Sequence, residues 1–121
     1  MRGMVVQIWL VGLGGFFGAI VRHFVNQYFS RFLLFPLGTF MVNTTGSFLI
    51  GLLMGSDWIT DSIRVFLSAG FLGAYTTFST FNFELFMLKR NHRDFQFFLY
   101  LASSYFLGIL LAILGYSIAN T

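Results

Sequence analysis

The chain has 121 residues, of which 57% are hydrophobic and only 9% are charged, and its mean hydropathy is +0.80. A soluble domain of this size carries about 25% charged residues, so this composition indicates a lipid-facing surface and excludes an ordinary soluble domain. The chain has no cysteine, which excludes disulfides and thiolate metal sites, and its net charge of +3 informs on topology rather than on nucleic-acid binding.

Apolar segments in chain order predict an all-α membrane protein with a single domain of four spans. A span requires about 20 mostly apolar residues. The predicted spans are 4–29, 33–55, 63–88 and 95–119. The charged residues fall almost entirely in the short connections, and the first apolar segment is too long for a cleavable signal peptide. We therefore expect a multi-pass protein with both termini on the same side of the membrane.

The first span combines a packing motif with a cation. Gly14 and Gly18 form a small-xxx-small pair, which is typical of closely packed membrane helices, and Gly51 and Gly55 form a second pair in the next span. Arg22 follows near the end of the first span. Its side chain either reaches out to the interface or places a positive charge at the mouth of an anion pathway.

A polar stripe lies on the second span, where Thr39, Asn43 and Ser47 recur every four residues and share one helix face. A lone serine or threonine in such a helix usually bonds to the carbonyl four residues earlier. An asparagine amide cannot be satisfied in that way. Asn43 is therefore either a hydrogen-bonding residue between helices or a donor to a ligand. The fourth span carries a similar polar group at 103–105.

The third span contains the most polar segment, residues 70–84. The segment around Gly73 has a weak helix propensity. Glycine costs about 1 kcal/mol of helix stability relative to alanine, and the hydroxyls of the threonines that follow compete for backbone hydrogen bonds. Two structures are open: a continuous helix with a close crossing at Gly73, or a break whose freed carbonyls coordinate a cation such as Na⁺. Taken alone, Phe78 and Phe81 are typical packing residues.

Three segments resemble the CrcB/Fluc fluoride channels: 14–22, 38–46 and 70–84, the last with the sequence Thr-Thr-Phe-Ser-Thr-Phe at its centre. Their order and spacing match that family over essentially the whole chain. The resemblance implies an antiparallel, dual-topology dimer with two fluoride pores and a break in the third helix. It also implies a structural Na⁺ at the dimer centre.

The same resemblance implies roles for individual residues. The pore positions are Asn43, Phe78 and Phe81, with Thr39, Thr80 and Tyr105 as further polar positions, Arg22 in the vestibule, and the backbone carbonyls of Gly73 and Thr76 as Na⁺ ligands. Ala74 stands where the family often has glycine. We expect the added methyl to leave the break intact, since the ligands are carbonyls of other residues.

The implied function is passive export of fluoride through the plasma membrane, by a protein that is not an enzyme and does not bind nucleic acid. A small dual-topology multidrug or cation exporter is the alternative, although it requires a carboxylate in the first span and this chain has none there. A non-transporting subunit of a larger complex is a third possibility.

The two sides of the membrane differ modestly in their number of basic residues. The side of the termini carries Arg2 and Arg64, with Asp57 and Asp61. The other side carries Arg31, Lys89, Arg90 and Arg93, and Arg22 as well if it is counted. A small bias allows insertion in both orientations. The sequence therefore leaves open a homodimer or a heterodimer with an oppositely oriented paralogue.

Overall fold

The computed structural model describes residues 2–29 and 36–121, and within these ranges the fold is all-α, as predicted, without a strand. The helices are α1 (Arg2–Phe29), α2 (Leu37–Gly55), α3 (Asp61–Val65), a π-helical segment (Phe66–Leu72), α4 (Gly73–Tyr75), α5 (Ser79–Arg90) and α6 (Asp94–Ala119). The predicted connection 30–32 and the start of the predicted second span, 33–35, lie outside the described residues.

Three of the described helices, α1, α2 and α6, are long and apolar enough to cross a membrane. The predicted third span corresponds to four shorter pieces between Asp61 and Arg90, with the non-helical residues 76–78 between α4 and α5. At Thr76 the backbone is extended, with φ −82° and ψ 158°. That this composite segment crosses the bilayer as one span stays a prediction.

Helix α1 packs against the π-helical segment through its two spaced glycines. A Cβ atom at Gly14 would overlap the carbonyl oxygen of Phe66, and one at Gly18 would overlap that of Phe71. Only glycine allows backbones to approach this closely, and the small-xxx-small motif is therefore used for packing within one chain.

Helices α2 and α6 form the most extensive contact between elements. Gly51 and Gly55 lie against the backbone of Ala112 and Tyr116, and Gly115 lies in turn against the Phe48 carbonyl. The second predicted glycine pair thus serves the same purpose as the first.

Helix α2 lies at the centre of the fold, and α1 lies at its margin. The buried hydrophobic residues form two clusters, Val42, Leu53, Leu72 and Tyr75 in one and Phe81, Leu85 and Tyr100 in the other. In contrast, α1 exposes large apolar side chains such as Trp9, Phe16 and Phe24. An apolar exposed face of this extent suits contact with lipid or with another membrane helix.

Specific polar contacts end two of the helices. The Arg64 guanidinium donates to the Leu53 carbonyl and, at 2.7 Å, to the Ser56 carbonyl, and so satisfies acceptors at the end of α2. After α5, His92 adopts a left-handed φ of 59°. The His92 and Arg93 amides donate back to the carbonyls of Lys89 and Leu88, the two bonds of a Schellman motif.

Candidate functional site

A cavity of about 330 Å³ lies where α2 and α6 meet the non-helical residues 76–78 and the start of α5. Its lining residues are Asn43, Ser47, Phe78, Phe81, Ser104, Tyr105, Gly108, Ile109 and Ala112. The structure therefore brings four of the six predicted pore residues to one cavity. Three elements that are distant in sequence contribute them.

Aromatic rings form one wall of the cavity. Phe78 and Phe81 are stacked with ring centroids 6.5 Å apart and an interplanar angle of 28°, and Tyr105 meets Phe81 edge-on at 6.0 Å. Phe81 is only 5% exposed, whereas Phe78 is 65% and Tyr105 53% exposed. The cavity is therefore closed at Phe81 and open along the rim formed by Phe78 and Tyr105.

Polar side chains of α2 and α6 face the same space. The Ser47 hydroxyl donates to the Asn43 carbonyl at 2.8 Å, the local bond expected for a serine in a membrane helix. The Ser104 hydroxyl oxygen is buried and has no hydrogen-bond partner among the described residues. A buried hydroxyl without a partner is costly, so a ligand in the cavity would find an available donor there.

Sequence reasoning missed Ser47 and Ser104 as lining residues. Within the polar group 103–105 it selected Tyr105 alone. The available signal was spacing, because Ser104 and Gly108 are four residues apart on α6 and share a face. Ser103 lies on another face and bonds to the Tyr100 carbonyl in its own helix.

Thr39 and Thr80 do not line the cavity. Thr39 is fully buried and lies close to Glu84, which accepts a hydrogen bond from the Tyr100 hydroxyl at 3.0 Å. The Tyr100 ring contacts the Phe81 ring at 5.0 Å between centroids. Thr39 thus belongs to a polar layer that supports the aromatic wall, and Thr80 is exposed at the start of α5.

Asn43 also holds the chain between α4 and α5. Its Nδ2 donates to the Thr77 carbonyl at 2.9 Å, and its Oδ1 accepts from the Thr77 amide at 2.8 Å. Both alternatives for Asn43 therefore remain compatible with the geometry. The side chain connects two segments, and it also lines the cavity.

Two backbone carbonyls beside this contact are deprived of the amides that a continuous helix would supply. The Thr77 amide, which would donate to the Gly73 carbonyl, donates to Asn43. The Thr80 amide, which would donate to the Thr76 carbonyl, donates to the Thr77 hydroxyl at 3.3 Å. Neutral carbonyl oxygens of this kind suit a hard cation such as Na⁺.

The surroundings of Gly73 and Thr76 leave room for such an ion. Gly73 is exposed, and a Cβ there would meet only the Ser68 carbonyl, at 3.7 Å. The Thr76 hydroxyl donates to the Leu72 carbonyl, so it does not hydrogen-bond to the Thr76 carbonyl. Within residues 2–29 and 36–121 no cluster of acidic or histidine side chains offers a competing metal site.

Arg22 is half-buried on α1 and does not line the cavity. One turn further along, the Asn26 side chain lies against Gly38 of α2. The structure thus does not bring the predicted vestibule residue together with the predicted pore residues within one chain.

Residues 9–116 match the family model described as "CrcB-like protein, Camphor Resistance (CrcB)". Three relatives carry the name fluoride-specific ion channel FluC. The proteins from Bacillus cereus (strain ATCC 14579) and Geobacillus kaustophilus are 43% and 42% identical, each over 91% of this chain and 94% and 95% of their own lengths. The protein from Methanococcus aeolicus is 39% identical over 75% of this chain and 76% of its own length.

These relatives are named as ion channels, which agrees with the expectation that the chain is not an enzyme. Together with the three long apolar helices, the match identifies a multi-pass membrane protein. Because the family model covers most of the sequence, and because several relatives share about two residues in five with it, the chain belongs to the CrcB-like protein family.

Proposed function

We propose that the protein is a fluoride-selective channel that lets F⁻ leave the cell passively across the plasma membrane. The observation that carries the proposal is the cavity that joins Asn43, the stacked Phe78 and Phe81, and the unpartnered Ser104 hydroxyl. Its chemistry suits a small anion, and relatives that match nearly the whole chain are named as fluoride-specific channels.

The lining offers weak donors rather than a full positive charge. The edge of an aromatic ring carries partial positive charge, so Phe78 and Phe81 can present ring hydrogens to an anion and reject cations. Asn43 uses one of its two Nδ2 hydrogens on the Thr77 carbonyl and has a second for an anion. Several weak donors replace part of the hydration shell of F⁻ without trapping the ion.

The direction of flow follows from charge and voltage. Neutral HF crosses membranes and ionises in a less acidic cytoplasm, where F⁻ accumulates. A membrane potential that is negative inside drives the anion outward with about 2.3 kcal/mol per elementary charge for each 100 mV. An open pore therefore suffices for export, without a coupled ion or nucleotide.

We extend the proposal to a homodimer of oppositely oriented chains. The exposed rim of the cavity at Phe78 and Tyr105 and the exposed backbone at Gly73 both support contact with a second copy. A heterodimer with an oppositely inserted paralogue is the alternative form of the same assembly. In either, α1 presents a further apolar surface to lipid or to the partner.

A structural Na⁺ belongs to the same proposal. The carbonyls of Gly73 and Thr76 from two copies would hold it, since both have lost their helical amide donors. When bound, the ion supplies a positive charge that offsets the repulsion between facing carbonyl dipoles. Thr76 contributes through its extended backbone, and Gly73 through the absence of a side chain.

Fluoride efflux from liposomes that contain only this protein tests the proposal, with a fluoride electrode as the readout and chloride as the control anion. We expect F⁻ to leave and Cl⁻ to remain. Asn43→Ser should slow F⁻ efflux by about tenfold or more, because a hydrogen bond to an ion contributes about 1.5–3 kcal/mol. Phe81→Ile should slow it as well, because isoleucine lacks the ring hydrogens that would face the anion. The matched control is Phe83→Ile, at an exposed position of α5 outside the cavity. Wild-type vesicles that retain their fluoride would refute the proposed function.

The exporter alternative has less support in the structure. Helix α1 carries no carboxylate, and the Glu84 carboxylate of α5 already accepts a hydrogen bond from the Tyr100 hydroxyl. Proton-driven uptake of a lipophilic cation by the same vesicles would favour that alternative.

A further inference from the structure

The contact between Asn43 and Thr77 joins α2 to the interruption between α4 and α5 across 34 residues of sequence. The contact uses the Nδ2 and Oδ1 atoms of Asn43 and both the backbone carbonyl and the backbone amide of Thr77. Such a paired contact fixes orientation as well as distance, because neither group can rotate without breaking one of the two bonds. A second hydrogen bond, between the Thr45 and Tyr75 hydroxyls at 2.8 Å, joins α2 to α4.

We infer that Asn43 is a positioning residue for the carbonyls of Gly73 and Thr76, and not only a donor to the transported anion. Its Oδ1 takes the Thr77 amide away from Gly73 and holds the chain at the point where Thr76 is extended. Thr77 completes the arrangement, because its hydroxyl takes the Thr80 amide away from Thr76. Two side chains thus replace two helical hydrogen bonds and leave two carbonyls available.

The same contact orients the donor end of Asn43. Since Oδ1 accepts the Thr77 amide, the carboxamide cannot turn its oxygen toward the cavity, and Nδ2 must remain the group with a free hydrogen. One side chain therefore links the carbonyl pair to the anion cavity. The inference rests on the proposed function where it names Na⁺ and F⁻, whereas the contact itself stands on the geometry.

A test that separates positioning from anion binding measures the response to Na⁺ without measuring transport. The purified protein is unfolded by heat in detergent at increasing Na⁺, with N-methylglucamine as the replacement cation. We expect the wild type to be stabilised by Na⁺. In Asn43→Ser and Asn43→Asp the Na⁺ concentration for half the effect should rise by about tenfold or more, as for other residues that orient metal ligands. Asp keeps the shape and the acceptor but cannot donate to the Thr77 carbonyl.

Two matched controls share the cavity but not the contact. Phe81→Ile changes the aromatic wall, and Ser47→Ala removes a hydroxyl that bonds only within α2. Both should keep the wild-type Na⁺ response. Asn43 variants that lose fluoride flux yet keep the wild-type Na⁺ response would overturn the inference and leave Asn43 as a pore donor alone. A wild type that conducts fluoride but ignores Na⁺ would also overturn it, and the proposed channel function would stand.

Hydrogen exchange of the backbone amides gives a second measurement. In Asn43→Ser the peptide that contains residues 76–80 should exchange faster than in Ser47→Ala, because the Thr77 amide has lost its acceptor. An unchanged exchange rate would contradict the role given to the Asn43–Thr77 contact. Should the Asn43 variants fail to fold, Thr77→Val supplies an independent case, since it removes the acceptor of the Thr80 amide at nearly constant volume. It too must weaken the Na⁺ response, or the inference fails.

Discussion

His92 shows how a single residue can occupy a position that favours glycine. It is the one non-glycine residue with positive φ among residues 2–29 and 36–121, and it closes the Schellman motif after α5. A left-handed conformation costs an ordinary residue about 1–2 kcal/mol. The loop tolerates this because the two backbone bonds of the motif hold it in place.

His92→Gly should therefore raise the free energy of unfolding by about 0.5–1 kcal/mol, after the entropy that glycine loses is subtracted. Thermal unfolding in detergent is the measurement. Asn91→Gly is the matched control, because Asn91 has φ −87° and gains nothing from glycine. A His92→Gly protein no more stable than the wild type would contradict the role given to the left-handed backbone.

The predicted pore residues show what sequence reasoning can achieve at this scale. Asn43, Phe78, Phe81 and Tyr105 were assigned by family resemblance, and the structure places all four around one cavity. The resemblance also implies Thr39, but this residue is fully buried close to Glu84 and does not line the cavity. Which side of a helix touches a cavity depends on the rotation of its neighbours, and residue spacing alone does not give that rotation.

At the scale of elements, some glycines of α1 are required for close helix packing, whereas others have open space around them. Gly18 lies against the Phe71 backbone, whereas Gly12, six residues earlier in the same helix, has nothing within 4 Å of an added Cβ. The sequence motif identified Gly14 and Gly18 but gave no partner for them. The partner is the π-helical segment, and the amino-acid composition of residues 66–72 does not predict a π-helix.

Gly18→Ala should destabilise the protein by about 1–3 kcal/mol, because the methyl forces α1 away from the π-helical segment. Gly12→Ala should be neutral or stabilising, since alanine is the better helix former. Thermal unfolding of the two variants side by side is the measurement. Equal effects of both would show that α1 does not pack at Gly18 as described.

Arg64 stabilises the C-terminal end of α2, which is a second contact between elements. Replacing its guanidinium by a methyl leaves the Ser56 carbonyl without this donor and the Leu53 carbonyl with the Ser56 amide alone, so Arg64→Ala should cost about 1.5–3 kcal/mol of unfolding free energy. Arg64→Lys should recover only part of it, because an ammonium lacks the planar fork. Arg2→Ala, at an exposed residue of α1, is the control and should change stability little.

At the scale of the whole molecule, the sequence predicted an all-helical membrane protein, and the structure and its family confirm this. The apolar runs identified α1, α2 and α6 because each is long and continuous. They did not reveal how the third segment is divided. Its pieces depend on side chains from α2, and such long-range contacts leave no periodic signal.

Both orientations of the chain should be found in the membrane if the assembly is a homodimer of antiparallel copies. A cysteine appended to the C terminus tests this, since the chain has none of its own. An impermeant thiol reagent should label about half of the protein from outside intact cells, and the remainder only after permeabilisation. Labelling from one side alone would favour a heterodimer with a paralogue.

The π-helical segment sets the angular phase of everything that follows it. A residue in an α-helix turns the chain by about 100°, and a π-helical turn accommodates an additional residue without that rotation. The same residues wound as a regular α-helix would therefore turn α4 by about 100° relative to α3. Asn43 would then face a different peptide unit, and Phe81 would leave the cavity wall. Deleting one residue inside the π-helical segment, such as exposed Ala69, should be tolerated better than deleting one in α4, because only the latter changes the direction in which Thr77 faces.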